Sequence, residues 1–231
     1  MPLQRVFLSR QSISTRPSPA ATARSPCISC KRPRSIRSWI CQARNARPRP
    51  WPVGRSRSMA PMQNPVHASA GPCKRGDADG ALAEIERALS MSPNLAIAHG
   101  HRGATLIFAG RPREGLTALE TCIRLDPRDP YLAVRLLHVA CGLYFCSEYE
   151  ASIEAAKRLI RSFPDFPMIY RWPAAALGQL GRTAEAKEAL EKAVSRAPGA
   201  FDMYVRKRAP WFRPEDHAHL VEGLRKAGWN G

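Results

Sequence analysis

Four short constellations in this 231-residue chain are of types that could do chemistry. Cys27-x-x-Cys30 has the spacing of half a zinc site, in which two thiolates grip one metal ion. A closed site needs two such pairs, and the rest of this segment offers only lone Cys41, His67 and Cys73. His99-x-His101 and His217-x-His219 supply imidazoles, but side chains two apart on a helix point to different faces. Asp77-x-Asp79-Gly80 opens like a calcium loop, yet the third acidic ligand and the distal Glu are out of place. It reads as a turn and a helix start. No glycine-rich phosphate loop occurs, and no Ser or Cys nucleophile comes with a paired His and acid. Cys141 and Cys146 read as small packing hydrophobes. The sequence therefore predicts no catalytic residue, no metal site, no cofactor and no small-molecule substrate.

Charge divides the chain. The formal net charge is +17, but residues 1–75 hold 13 Arg and 2 Lys with no Asp or Glu, while residues 76–231 hold 21 basic and 19 acidic side chains. The first segment also carries 11 Pro and lacks apolar periodicity, a composition too poor to offset chain entropy by burial, so it is expected to be disordered. Three readings stay open for it. Met1–Ser25 has the composition of an organelle transit peptide; a basic arm binds nucleic acid through phosphates; and Arg, Pro, Ala, Ser, Cys and Trp are what GC-rich DNA yields out of frame. Trp39 and Trp51 stand alone, so no aromatic platform supports nucleic-acid binding, which is not expected. The odd, irregular cysteine set suits free thiols in a reducing, cytoplasmic compartment. Leu132–Cys146 is too short, and too interrupted by Arg135 and His138, to span a bilayer.

The elements that must position any site repeat. Pro93, Pro127, Pro164 and Pro198 stand 34, 37 and 34 residues apart, and Gly76, Gly110, Ser147 and Gly181 keep the same intervals. Small or apolar residues follow in register: Ala81, Gly115, Ser152 and Ala186, then Ile85, Leu119, Ala156 and Leu190. A preceding helix supplies Gly103, Ala140 and Ala174. Each unit is predicted to be a helix, a turn and an antiparallel helix, with small residues at the crossing. Gly110 and Gly181 suit left-handed helix ends, and Thr183 suits an N-cap. Pro173 falls inside a first helix, which it must kink or shorten, and the central unit holds three extra residues around Arg128–Leu132. No unit covers its apolar stripe alone, so the units must stack.

This pattern resembles tetratricopeptide repeats. The expected architecture is all-α: a helix-turn-helix solenoid of repeats over 76–198, a capping segment over 199–231, and the disordered segment 1–75. The run Arg213-Pro-Glu-Asp-His-Ala-His-Leu-Val-Glu-Gly-Leu-Arg-Lys-Ala-Gly-Trp229 also resembles the C-terminal end of bacterial class III adenylate/guanylate cyclase proteins that carry repeats behind the catalytic domain. That likeness implies a regulatory or scaffold region. The mixed α/β domain that would carry cyclase activity has no counterpart here, so no enzyme is expected.

In such a fold the first helix of each unit lines a groove. The register places Ile97, Gly100, Ala104, Ile107 and Phe108 there, then Val134, Leu137, Cys141, Tyr144 and Phe145, and finally Met168, Arg171, Ala175, Gly178 and Gln179. The family's chaperone-binding members need Lys and Asn where Gly100, Ala104, Leu137 and Cys141 stand. The expected partner is instead a protein or peptide presenting an apolar helix or extended segment.

Overall fold

In a computed structural model the described residues are 77–231. Among them are nine α-helices and no strand. These are α1 (Ala78–Met91), α2 (Ala96–Phe108), α3 (Pro112–Leu125), α4 (Leu132–Phe145), α5 (Tyr149–Ser162), α6 (Arg171–Gln179), α7 (Thr183–Arg196), α8 (Pro198–Phe201) and α9 (Pro214–Lys226). A 3-10 turn at Pro167–Ile169 precedes α6, and a π-helical turn at Asp202–Arg206 follows α8. The readings of residues 1–75, and of Gly76, lie outside the described residues.

Each proline column fixes one kind of helix end. Ser92, Asp126, Phe163 and Ala197 stand just before the four prolines with φ between −143° and −134°. A following proline disfavours helical geometry, so the second helices α1, α3, α5 and α7 all stop there. First helices end differently. After α2, α4 and α6 the chain turns left-handed at Gly110 (φ 82°), Ser147 (φ 60°) and Gly181 (φ 70°). In each case the next amide reaches back to a carbonyl of the last turn: Arg111 to Leu106, Glu148 to Leu143 and Arg182 to Leu177, at 2.8, 2.9 and 3.0 Å. The same cap is built three times.

Ser147 is the costly member, because a Cβ crowds the left-handed conformation. Ser147→Gly is expected to stabilise the fold by about 0.5–1 kcal/mol, net of the extra unfolded-state freedom of glycine. Chemical denaturation checks it. Unchanged or lower stability would give the weak contact from Tyr149 Oη to Ser147 Oγ, at 3.4 Å, the larger role.

The crossings within a unit repeat as well. A Cβ on Gly103 would stand 2.8 Å from the Gly115 carbonyl oxygen, and one on Gly115 would stand 2.6 Å from that of Gly103. Backbones of α2 and α3 therefore meet directly. One unit later the buried Ser152 Oγ donates to the Ala140 carbonyl at 2.8 Å, so a hydroxyl fits only because its proton has an acceptor. Ala174 and Ala186, both fully buried, occupy the corresponding columns in α6 and α7. Large side chains fill the space between units, with Leu119, Leu143, Tyr144, Leu159 and Trp172 completely buried. A separate small cluster of Ile85, Ala88, Leu89 and Ala98 joins α1 to α2.

Asp77 caps α1, its Oδ1 accepting from the Gly80 amide at 2.9 Å. Thr183 does not cap α7; the cap is Arg182, because the cap after α6 ends there, and the Thr183 hydroxyl bonds the Gly181 carbonyl. Pro173 falls in the first turn of a short helix: α6 has nine residues, and the proline is the third, where no intrahelical amide is needed. The extra residues of the central unit bring Asp129 to Arg135 as a nearly sealed ion pair at 3.1 Å.

Candidate functional site

The first helices lie side by side, α2 against α4 and α4 against α6, and α9 packs on α6. Their common face, the segment around Phe166–Met168 and the tail between α8 and α9 bound a cavity of about 360 Å³. Of the residues assigned to the groove by register, Ala104, Phe108, Val134, Leu137, Cys141, Met168 and Arg171 line it. The tail completes the wall with Tyr204, Trp211 and Phe212. Phe212 stacks on Phe108 with ring centroids 5.0 Å apart, and its edge meets Phe145 at 6.3 Å.

The other register assignments point elsewhere. Ile97 packs against the small cluster between α1 and α2. Ile107 is fully buried, its side chain within reach of both Gly115 and Gly142, so it faces the core one helical step from Phe108. Tyr144 is fully buried too, because α9 covers it: its ring lies 4.6 Å from that of His219, and its hydroxyl donates to the His219 carbonyl at 2.8 Å. Phe145 packs edge-on to Trp172 at 5.6 Å. Gln179 accepts from Lys226 at 2.8 Å and so ties α6 to α9. Sequence reasoning missed His138 and Trp172, which line the cavity from α4 and α6, and all of the tail. His138 had registered only as an interruption in an apolar run.

The paired histidines find structural partners. His99 contacts the Pro93 carbonyl at 2.8 Å, His217 that of Val205 at 3.1 Å, and His219 the Tyr149 hydroxyl at 3.0 Å. Burial pushes the Cys122 thiol up to about 11 and the Cys141 thiol well above its usual range, which leaves both as packing groups with little thiolate.

Two cavity groups are electrically uneasy. Arg171 is 5 % exposed, and burial pulls its guanidinium down to about 10. Its Cζ lies 5.2 Å from the Trp172 ring centroid and 4.7 Å from that of Tyr204. Such contacts contribute roughly 1–2 kcal/mol, against several for removing an ion from water. The charge is under-compensated. His138, partly buried with Nδ1 sealed from solvent and unpartnered, is pushed down to about 3 by burial and the nearby Arg135 charge. A histidine held below its unfolded value of about 6.5 leaves stability intact above that value and erodes it as pH falls. Between pH 7 and pH 5 the fold is expected to lose about 1–2 kcal/mol through this residue. His138→Phe should flatten most of that slope, leaving the smaller share of half-buried His219, which shifts the same way. An unchanged slope in urea melts at the two pH values would refute the assignment.

Comparison with known proteins agrees with this geometry. A family model for the tetratricopeptide repeat matches residues 174–199, which hold most of α6 and all of α7. No curated protein is similar enough to count as a match. Among solved structures, MamA aligns with 23 % identity over 69 % of this chain and 91 % of its own, at a TM-score of 0.50. A MamA fragment from Desulfovibrio magneticus RS-1 aligns with 17 % identity over 72 % of this chain and 95 % of its own, at 0.52. PilF of Pseudomonas aeruginosa does so with 17 % identity over 72 % and 76 %, also at 0.52. Identities this low speak to the fold alone. Repeated caps, repeated crossings and these likenesses together show that the described residues have the fold of a tetratricopeptide-type helical solenoid.

Proposed function

We propose that this chain is a non-catalytic protein–protein interaction scaffold whose first helices present an apolar groove to a partner segment. The observation that supports it most is the seating of the chain's own tail: Phe212 lies on Phe108 in the groove, the kind of contact an apolar helix or extended peptide would make there. Helical repeats of this type generally serve as binding modules, and their work is done by a fixed concave surface. The likeness of Arg213–Trp229 to the ends of bacterial cyclase-type proteins supports a finer reading, a regulatory region separated from its catalytic domain. Among the described residues no helix is long and apolar enough to cross a membrane.

Capture of partners by the tagged full chain, compared with the Phe108→Glu/Val134→Glu double variant, tests the groove. Both side chains are only partly buried, so the variant is expected to fold while a charged groove loses most captured protein. Equal recovery by both forms would contradict the proposal. Tyr144→Glu would be a poor choice, because that ring is core.

A further inference from the structure

Among the described residues, the buried guanidinium of Arg171 has no carboxylate partner. Its Nη1 donates to the Met168 carbonyl at 2.7 Å, while Nε has no acceptor. Among the described residues no carboxylate acts on it; the groups that do are the Cys141 thiol and the Tyr204 hydroxyl. The acid that shares Cys141 as a neighbour, Asp216, is engaged by Arg213 at 2.8 and 2.9 Å. Two more nitrogens of cavity-lining residues, His138 Nδ1 and Trp172 Nε1, also lack partners. Three unsatisfied polar groups beside one apolar cavity are more than folding alone explains, since buried polar atoms are ordinarily bonded.

We propose that this cavity binds a small apolar monocarboxylic acid, its carboxylate on Arg171 and its hydrocarbon part among Phe108, Val134, Leu137 and Phe212. The planar guanidinium offers a two-pronged donor that matches the two oxygens of a carboxylate. Arg171 is the one Arg or Lys among the described residues that line the cavity, and one guanidinium suits one negative charge. A phosphate dianion would be left half-matched. The volume, about 360 Å³, falls in the range of small-ligand pockets, and the tail forms one wall of it. A free peptide C-terminus shares the carboxylate chemistry, but a volume of about 360 Å³ favours the compact acid. The cavity shares Phe108 and Val134 with the partner groove of the scaffold reading, and Arg171 separates the two tests: loss of octanoate binding leaves the partner-capture comparison of the Phe108→Glu/Val134→Glu variant as it stands.

Trp172 and Trp211 on the cavity wall make the full chain its own reporter. Its tryptophan fluorescence is titrated with octanoate, with 1-octanol and with N-acetyl-leucyl-leucine. Octanoate is expected to bind saturably and at least about tenfold more tightly than 1-octanol, the margin of a charge-assisted hydrogen bond. Arg171→Met should admit 1-octanol but lose the preference for octanoate, and Arg171→Lys should keep part of it. Absence of saturable octanoate binding, equal affinity for acid and alcohol, a preference that survives Arg171→Met, or binding of the dipeptide in place of octanoate would each overturn the proposal. If Arg171→Met fails to fold, the acid-to-alcohol ratio in the wild type and in Arg171→Lys decides.

Discussion

Alanine at Gly178 is expected to cost the fold about 3 kcal/mol, the upper end of over-packing penalties, and to lower its thermal midpoint by roughly 6–12 °C. A Cβ there runs into the carbonyl oxygen of Gly223 and stands 3.0 Å from the Ala227 amide nitrogen, so the obstacle is backbone and no side chain can rotate away. The contact is reciprocal: a Cβ on Gly223 would meet the Ala175 carbonyl oxygen at 2.6 Å and the Tyr144 hydroxyl at 2.5 Å. Helix α9 must therefore move off α6. Its departure would uncover Tyr144 and loosen the Trp211–Phe212 wall, which hydrogen exchange would show as faster exchange in 209–228. Gly199→Ala is the control, since nothing lies within 4 Å of a Cβ there and its effect should stay within about 0.5 kcal/mol. Comparable losses in the two variants would contradict the close crossing.

Trp172→Ala should cost more, about 3–5 kcal/mol, as large aromatic-to-alanine changes in cores do. The indole is fully buried, its ring edge-on to Tyr144 at 5.5 Å and to Phe145 at 5.6 Å, and the Arg171 charge rests near its face. Its removal opens a void and strips the guanidinium of one aromatic cushion at once. Trp172→Phe should cost less than half as much, because it keeps most of the packing and deletes an indole nitrogen that has no partner. Equal losses in a denaturant series would mean that the nitrogen matters after all. They would also point to an acceptor in the cavity.

What could be read in advance follows from periodicity. Because units repeat, a proline or glycine at one position fixes the backbone at its counterparts, and Gly110, Ser147 and Gly181 do share the left-handed turn. The same register put Phe108, Val134, Leu137, Met168 and Arg171 on one face, which they share as cavity wall. It misplaced Ile107 and Tyr144, since one helical step rotates a side chain by about 100° and so from wall to core. The tail was beyond reach for a different reason. Tyr204, Trp211 and Phe212 lie where the repeat has stopped, and a contact such as Phe108 with Phe212 leaves no local trace in composition or spacing. Thus α9 was legible as an amphipathic helix, with Leu220 and Leu224 buried, while the wall before it was not. Nor could the sequence show that Arg171 lacks an acid, because that absence is a property of assembled neighbours.

The tail seats Phe212 on Phe108 in the groove made by the first helices. Nuclear Overhauser contacts between the ring protons of Phe108 and Phe212, in a phenylalanine-labelled sample assigned with Phe212→Leu, test this most directly. The predicted result is a cross-peak between the two rings, with Phe212 shifted away from random-coil values by the stacked neighbour. Absence of that cross-peak, with Phe212 at random-coil positions in an otherwise folded spectrum, would contradict the seating of the tail and the cavity it helps to form.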